Sequence, residues 1–564
     1  MATLTKNLFH GQGERCHRLR VIEGEWPADM EGSVVVVGPD KRAPGGHWFG
    51  AHGLLQRIRL EPNHDGSITV EHRRVDTPIN RLRRRMPWLF RNVAFAELSP
   101  FGVTNMANTG VISAEDRLFI GYDAGRPVEV DAETLEFVSM VGANDEWLQG
   151  VPGLVEPLCA VAAHPAPDVD EQALYFVNYS QVTAPGEPSE TYLARWDMHG
   201  PLHRRRIEGM SPFDSIHDVK VSEHHVVISD LPFMVDPEEL RGKQRTERNQ
   251  DHTKLWIVAK ADLMAAPEGA SVRATEVRIP MPTGHLWVDA EEAGGLLRVV
   301  LQHIPLADLM ITVTHESRDH RMGAVFDPAY EGWIAQSVQP SVIGRYLIDP
   351  ATGVVKDEAI ATDVDRLWGG ILGTTDVVHP AARAHLGQLW YAGVGFDPDL
   401  VPEEWWRLYG TATDGIVAPS GLPDRALPGT LARFDVDEMA VSDVWSYPEG
   451  SFPSPPTFVP RAGATEPEVG YVVVVVHQDG PKEVQVFDAA DIGSGPVARA
   501  GSATFNPNLM LHSCWSPPRR GPRPSNYRIG AGRDVAGAMK GAPGTIKRIV
   551  ATGRRVAKAQ RSAR

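Results

Sequence analysis

The chain reads Pro-Phe-Asp-Ser-Ile-His-Asp over residues 212–218 and Val-Val-Ile-Ser-Asp-Leu-Pro-Phe over residues 226–233. This pattern places His217 between a turn and a strand, with Asp218 beside it. Neutral imidazole is a good ligand for zinc, copper, iron and nickel, so His217 is a candidate metal ligand. Three more histidines occupy comparable settings: His164 in Ala-Ala-His-Pro, His285 in Thr-Gly-His-Leu-Trp and His512 in Leu-Met-Leu-His-Ser. Four imidazoles spread over most of the chain predict one metal at the centre of a ring of strands.

Short strand-like runs recur along the whole sequence. They are rich in Val, Ile, Tyr and Phe and are bounded by Gly, Pro, Asp and Asn, which is typical of β-strands. Examples are Ser33–Gly38, Leu174–Tyr179, His225–Asp230, Leu296–Gln302, Gln388–Gly395, Gly470–His477 and Lys482–Asp488. No repeat of fixed length is visible. The pattern predicts an all-β fold, either a β-propeller with its loops gathered over one face or a pair of β-sandwiches.

The size and composition are those of a large globular protein. At roughly 100–200 residues per domain, 564 residues would make three or four domains. A closed repeat architecture can instead form one large domain, because each blade adds its own core. Hydrophobic residues at 42% and charged residues at 23% are typical of globular proteins. Three distant cysteines (Cys16, Cys159 and Cys514) without a CxxC pair argue against a disulfide framework and against a structural zinc site.

The net charge of −16 is unevenly distributed. From Arg519 to Arg564 the chain has 13 basic residues and one acidic residue, a net of +12, which leaves −28 for the rest. The Pro- and Arg-rich run at 517–524 predicts the end of the folded body, so we assign residues 1–516 to the folded domain and 517–564 to a basic, flexible tail. Such a tail either stays solvated or is drawn to an anionic surface.

Three other charged segments stand out. Arg81–Arg91 (Arg-Leu-Arg-Arg-Arg-Met-Pro-Trp-Leu-Phe-Arg) is predicted as an extended basic loop. Its mixture of Arg with Trp, Leu and Phe is typical of a segment at a membrane interface, and equally of a surface loop with a tucked aromatic ring. Helical periodicity is rare; Pro237–Asn249 and Asp534–Arg561 are the two candidates.

The sequence predicts a cytoplasmic protein that is peripheral to the membrane when it contacts one. No apolar run reaches the roughly 18–20 residues needed to cross a bilayer. The N-terminal residues lack the apolar core of a signal peptide, and the cysteine usage fits a reducing compartment. We expect no nucleic-acid partner; the oligomeric state stays open.

The histidine spacings alone do not select a metal site. They are long and carry no short ligand motif, and the chain has 21 histidines. His164 could equally be a turn residue before Pro165, and His512 a core histidine in an apolar strand.

Several motifs together resemble the carotenoid cleavage oxygenases, from about Leu19 to Trp515. The segment from Glu23 to Gly32 resembles the opening G-x-x-P-x-x-L-x-G of that family, and His52–Leu60 looks like its DGDGM(I/L)HxVRF strand. Further similar segments are Asn-Met-Ala-Asn-Thr at 105–109, the run from Gly125 to Glu136, Ala163-His164-Pro165, Ser215-Ile216-His217-Asp218 and Leu511-His512.

The resemblance implies a seven-bladed β-propeller oxygenase domain over residues 1–516, with loops and short helices capping the active-site face. It implies a ferrous ion on the propeller axis, held by His164, His217, His285 and His512. The third ligand has a competitor. The segment from Val288 to Glu292 is similar to the family's H-x-N-A-x-E-E, but His285 stands two residues early, and His303 in Leu-Gln-His-Ile-Pro is the alternative.

The resemblance also implies carboxylates that accept hydrogen bonds from the ligand histidines. The family uses three glutamates, whereas this chain has Asp123 at the first position and Pro455 at another. Asp376, in Thr-Thr-Asp-Val-Val-His, is the candidate for the remaining one. A proline side chain accepts nothing, so the outer shell of this site differs from that of the family.

The implied reaction is cleavage of a C=C bond by O2 to give two carbonyl products, with an apolar alkene as substrate. A polyene is favoured over a stilbenoid, because the stilbenoid branch holds a phenol with a Tyr/Lys pair and Phe95–Met106 contains neither residue. The same scaffold could also carry an isomerase-type activity or serve as a non-catalytic binding protein. Candidate tunnel residues are Trp48, Phe49, Phe101, Phe233, Trp287, Trp368 and Trp515.

Overall fold

The computed structural model describes residues 6, 8–9, 11–40, 47–93, 96–150, 153–180, 190–210, 215–233, 244–334, 338–370, 383–519, 521, 525–538 and 540. These residues form sheets of mostly antiparallel strands, which we number as blades 1 to 7 around a ring. The strands predicted from composition all occur, with ends that differ by one or two residues.

The first three blades follow the N-terminal half of the chain. Blade 1 comprises Arg15–Gly24, Ser33–Pro39, Gly53–Arg59, Ile68–Arg74 and the C-terminal strand His512–Ser516. Blade 2 comprises Gly110–Ala114, Arg117–Tyr122, Gly125–Val130 and Phe137–Met140. Blade 3 comprises Ala160–Val161, Ala166–Asp168, Ala173–Tyr179, Thr191–Trp196, His203–Glu208 and Ser271–Arg273.

Four more blades complete the ring. Blade 4 comprises Ser215–Val221, His225–Leu231, His252–Ala259 and Thr275–Pro280, and blade 5 comprises Thr283–Val288, Leu297–His303, Val342–Ile348 and Val355–Thr362. Blade 6 comprises Gln388–Gly393, Thr430–Asp435 and Ala440–Ser446. Blade 7 comprises Ser451–Pro453, Thr457–Pro460, Gly470–Gln478, Glu483–Asp488 and Ala498–Gly501. A small outer sheet adds Arg91–Val93, Ala96–Ser99 and Gly102–Val103.

Apolar packing between neighbouring blades closes the ring. Side chains alternate between the two faces of a strand, so Val226 and Ile228 pack against blade 3 while Val227 packs against blade 5. An equivalent buried cluster lies between every consecutive pair of blades, including blades 7 and 1. The strand Arg15–Gly24 also joins the ends, because it pairs with blade 1 through one half and with blade 7 through the other. The predicted seven-bladed β-propeller is confirmed.

Short helices lie outside the blades. The α-helices are Pro78–Arg85, Lys260–Ala265 and Glu403–Tyr409, and residues 531–538 are also helical. This last helix confirms part of the C-terminal helical candidate. The described residues 244–249 contain no helix, and residues 237–243 of that candidate lie outside the described ranges.

The predicted extended loop at Arg81–Arg91 is wrong. Its first half belongs to the helix Pro78–Arg85, which continues into a short 3-10 turn at Pro87–Leu89. Thr77 caps this helix by accepting a 3.3 Å hydrogen bond from the backbone N–H of Asn80, and Pro78 stands at its first position. Arginines in the last turn are favourable at the negative end of the helix dipole.

The described part of the C-terminal segment packs against the propeller. The buried Arg126 of blade 2 donates two hydrogen bonds of 2.9 Å to the carboxylate of Asp534. The ring of Tyr527 lies edge-on to Trp196 of blade 3, with centroids 4.8 Å apart. These residues therefore do not extend freely from the body. The predicted boundary at residue 517 stays a prediction, and residues 541–564 of the predicted flexible tail lie outside the described ranges.

Cys16, Cys159 and Cys514, which all lie in the described residues, form no disulfide bond with one another. Among the described residues, no helix combines the length and the hydropathy that a membrane crossing requires.

Candidate metal centre

The four predicted histidines come from four different blades and meet at the propeller axis. His217, His285 and His512 lie on the innermost strands of blades 4, 5 and 1. His164 lies between the strands Ala160–Val161 and Ala166–Asp168 of blade 3, which both pair with Ala173–Tyr179, and it forms an isolated bridge to the residue after His217. One nitrogen of each imidazole lies within 4.8 Å of one nitrogen of each of the others. The ring centroids are 4.3 to 6.4 Å apart.

Local backbone features point these rings at the axis. The pairing of blade 4 shifts register between Ile216 and Asp218, and that of blade 5 shifts between Thr283 and His285. A bulge of this kind redirects a side chain that regular alternation would turn into a neighbouring blade. The backbone N–H of His164 donates to the carbonyl of His217 at 3.2 Å, which fixes blade 3 against blade 4.

Burial keeps two of the imidazoles, those of His164 and His512, in the neutral form that can bind a metal. All four side chains are buried, and the most exposed residues, His217 and His512, retain 6% of their surface. Burial and the neighbouring histidines hold the pKa of His164 and of His512 well below the usual value. A neutral imidazole offers a nitrogen lone pair, whereas a protonated one cannot bind a metal.

Two carboxylates accept hydrogen bonds from these histidines. Nδ1 of His217 lies 3.1 Å from Oδ1 of Asp123, the residue to which the family resemblance assigned this role. Nδ1 of His285 lies 3.2 Å from Oδ2 of Asp218, a fully buried residue that we did not predict in this role. Such partners fix the tautomer and leave the opposite nitrogen, Nε2, free to bind a metal. The signal for Asp218 was its place beside His217, but its partner lies on the next blade.

The remaining predicted residues fall in different places. His303, the alternative to His285, lies inside blade 5, where its two ring nitrogens contact the hydroxyl groups of Thr283 at 3.1 Å and Tyr346 at 2.8 Å. The structure therefore brings His285, rather than His303, into the four-histidine group. Pro455 is buried, and Asp376 lies outside the described residues.

The donor set fits one transition-metal ion. Both ring nitrogens of His164 and Nδ1 of His512 are buried, and the described residues provide no hydrogen-bond partner for them. Buried polar atoms are normally satisfied, and an ion at the point where the four rings meet would satisfy one nitrogen of each ring. Four neutral nitrogens suit iron, zinc, copper or nickel rather than magnesium or calcium.

Different surroundings lie on the two sides of the centre. On one side is the cap cluster of buried apolar residues, which includes Trp48, Leu231, Leu309, Phe326 and Leu509, with Phe49, Phe233 and Leu511 packed against it. Leu511 immediately precedes His512. On the other side is the axial cavity of about 490 Å³, whose lining includes Lys220, Trp287, Arg383, Phe458, Cys514 and Trp515. Four of these residues, Lys220, Trp287, Cys514 and Trp515, follow His217, His285 and His512 on the same innermost strands.

The candidate tunnel aromatics divide between these regions. Trp48, Phe49 and Phe233 belong to the cap cluster, while Trp287 and Trp515 line the axial cavity. Trp368 packs in a separate cluster, and Phe101 is half-buried in the turn between the strands Ala96–Ser99 and Gly102–Val103 of the small outer sheet.

Comparison with known proteins places this centre in a family. The sequence profile of the retinal pigment epithelial membrane protein family matches residues 9–517. The chain belongs to this family, the carotenoid cleavage oxygenases. The match covers all seven blades and all four histidines and ends before the C-terminal segment that packs against Arg126.

Individual relatives are distant but span most of the chain. The apocarotenoid-15,15'-oxygenase of Synechocystis sp. is 21% identical over 520 residues, which are 88% of this chain and 92% of that protein. The carotenoid cleavage dioxygenase 8 homolog B of Oryza sativa is 23% identical over 543 residues, which are 90% of this chain and 84% of that protein.

Solved structures share the fold. A variant of the Synechocystis apocarotenoid oxygenase aligns with a TM-score of 0.63 at 17% identity, covering 91% of this chain and 98% of that one. The lignostilbene dioxygenase of Pseudomonas brassicacearum aligns with a TM-score of 0.61 at 19% identity, covering 92% of this chain and 100% of that one.

Proposed function

We propose that this protein is a non-haem Fe(II)-dependent dioxygenase that cleaves a C=C bond of a carotenoid or apocarotenoid with O2. Both oxygen atoms enter the products, so that one alkene and one O2 give two carbonyl compounds. The observation that carries the proposal is the convergence of His164, His217, His285 and His512 on one point. The family membership and the similarity to an apocarotenoid oxygenase support it.

The residues of this chain have defined roles in the proposal. The four imidazoles would hold a ferrous ion. Bound iron supplies the activation of O2 for attack on the double bond. Asp123 and Asp218 orient two of the imidazoles and offset part of the positive charge. The described site needs no additional protein acid or base, because the overall reaction adds O2 without a net proton transfer.

The cap cluster supports an apolar substrate. It is contiguous with the centre through Leu511, and its aromatic side chains include Trp48, with Phe49 and Phe233 packed against it. Asn108 fixes its edge by donating hydrogen bonds of 2.7 Å and 2.6 Å to the carbonyls of Phe49 and Ala51. An apolar wall beside the metal orients an alkene by shape and excludes water from the reacting carbons.

Oxygen labelling tests this reaction. Anaerobically purified, iron-loaded protein is mixed with apocarotenals and carotenoids under ¹⁸O2, and the aldehyde products are trapped at once for mass spectrometry. We expect label in both carbonyl products. Substrate consumption with unlabelled products would contradict dioxygenation and would favour an isomerase-type reaction. Iron binding without turnover across the panel would favour the non-catalytic binding alternative.

Stilbenoid cleavage is the second candidate function. The similarity to the lignostilbene dioxygenase fold supports it. The absence of Lys and Tyr from Phe95–Met106 argues against it. Including hydroxystilbenes in the same panel separates the two: faster turnover of a hydroxystilbene than of every polyene would replace the carotenoid proposal.

We also propose transient contact with a membrane surface, from which an apolar substrate could be collected. The helix Pro78–Arg85 and the adjoining turn carry four arginines, and Trp88 is 74% exposed. Exposed Met86 and Leu98 lie nearby in the sequence. Arginine beside exposed aromatic and aliphatic side chains is typical of segments that bind anionic interfaces.

A further inference from the structure

Lys220 lies between the four-histidine group and the axial cavity. It is three residues after His217 on the innermost strand of blade 4, and its side chain is 18% exposed. It lines the cavity, and its ammonium donates a hydrogen bond to Oδ1 of Asp218. A second hydrogen bond of 3.3 Å reaches the carbonyl of Val219.

The carboxylate of Asp218 is held on both sides. Its Oδ2 atom accepts hydrogen bonds from Nδ1 of His285 at 3.2 Å and from the backbone N–H of Leu286 at 3.3 Å. Its Oδ1 atom accepts from Lys220, so the ammonium fixes the rotation of the carboxylate about the Cβ–Cγ bond. Asp218 has no solvent-exposed surface, so water cannot replace Lys220 without a rearrangement of the site.

We propose that Lys220 is a positioning residue for the metal centre. It holds Asp218 so that this carboxylate orients the ring of His285 and keeps the proton on Nδ1, which directs Nε2 at the ion. The inference rests on the proposed function, because it requires His285 to bind a metal. It extends that function to a residue that touches neither the metal site nor the cap cluster.

Electrostatics and positioning predict opposite effects of removing this lysine. Loss of one positive charge near the centre would by itself strengthen the binding of a divalent cation. Loss of the contact that fixes Asp218 would weaken binding, because outer partners of a metal-bound histidine typically contribute about 10–100-fold to affinity. The sign of the change therefore separates the two effects.

The chain provides a matched control. Lys260 is 8% exposed and forms a buried ion pair with Asp168 of blade 3. Asp168, like Lys220, lines the axial cavity. No described contact links this pair to any of the four histidines. Lys260→Met therefore removes a buried lysine from a similar setting without reaching the centre.

The experiment is a Co(II) titration of metal-free protein, followed by ligand-field absorption, for the wild type and the variants Lys220→Met, Lys220→Arg and Lys260→Met. We expect Lys220→Met to bind Co(II) about tenfold more weakly and with an altered spectrum. We expect Lys220→Arg, which has room to extend into the cavity, to recover most of the affinity, and Lys260→Met to resemble the wild type.

Unchanged or tighter binding by Lys220→Met would overturn the inference, as would equal weakening in Lys260→Met. If the wild type itself bound no Co(II), the result would contradict the proposed metal site and, with it, the role of Lys220. If Lys220→Met did not fold, the comparison would pass to Lys220→Gln, which retains an N–H donor, and Lys220→Ala, which does not. The inference requires the Gln variant to bind Co(II) more tightly than the Ala variant, and equal affinities would overturn it.

Discussion

Oδ1 of Asp123 lies 3.1 Å from Nδ1 of His217 and also accepts a 3.2 Å hydrogen bond from the backbone N–H of Ala163. One carboxylate thus links blade 2 to a histidine of blade 4 and to the residue before His164. Asp123 is shorter than a glutamate but reaches His217 directly, because Gly121 allows blade 2 to approach Ala163 of blade 3 closely. A Cβ atom at position 121 would lie 1.8 Å from the carbonyl oxygen of Ala163.

Replacing Asp123 by Ala should weaken metal binding about 10–100-fold, because His217 would lose the acceptor that fixes its tautomer. Isothermal or spectroscopic Co(II) titration measures the change. Asp170→Ala, which removes an exposed aspartate from the turn after the strand Ala166–Asp168, is the control. Equal affinities for Asp123→Ala and Asp170→Ala would show that the contact does not serve the centre.

His303 should make folding stability depend on pH. Burial lowers its pKa to about 4 from a usual value of 6.5. Between these values the unfolded chain binds the proton and the folded protein does not, so stability is full above pH 6.5 and falls as the pH drops toward 4. His303→Gln should reduce this dependence by up to about 1.4 kcal/mol per pH unit. The free energy of unfolding is measured by urea denaturation at pH 5 and pH 7, with His224→Gln, at an exposed position, as the control. An equal loss of stability between pH 7 and pH 5 in the wild type and in His303→Gln would refute the prediction.

The Arg126–Asp534 pair should make the C-terminal segment part of the stable fold. Asp534→Ala leaves the buried Arg126 without its bidentate partner, and removal of one member of a buried pair typically costs about 3–5 kcal/mol. Arg533→Ala, which removes a partly exposed pair with Asp145, should cost about 1 kcal/mol or less. Thermal unfolding compares the two variants. Equal melting temperatures of the two variants would mean that the Arg126–Asp534 pair contributes little to the stability of the folded protein.

Trp88 should contribute to membrane contact. We expect the wild type to float with anionic liposomes at low salt and Trp88→Ser to lose most of this binding, because an exposed indole inserts at the interface. Val169→Ser is the control, since Val169 is 62% exposed and lines the axial cavity instead. A wild type that stays in the unbound fraction would rule out the proposal.

Sequence patterns predicted the features that depend on local chemistry. Runs of β-branched residues between Gly and Pro predicted the strands. The convergence of His164, His217 and His512 was implied by the resemblance of their motifs to those of the family. Asp123 followed from its position in a family motif.

Features that depend on contacts between distant segments were not predictable in the same way. Asp218 reaches His285 because two register shifts turn neighbouring strands toward the axis, and sequence spacing does not encode this. The arginine-rich composition of the helix Pro78–Arg85 led to its prediction as a loop, although Thr77 followed by Pro78 is a helix-start signal. The packing of Tyr527 and Asp534 against the propeller was not predicted, because the basic composition around them is typical of a flexible tail.

The central claim is that four imidazoles bind one iron ion. X-ray absorption spectroscopy of protein from iron-replete cells, combined with iron analysis, tests it most directly. We predict about one iron per chain and an inner shell dominated by imidazole nitrogen, both abolished in His217→Ala and preserved in His303→Gln. Iron-free protein that takes up none on reconstitution, or bound iron whose shell contains no imidazole, would contradict the account.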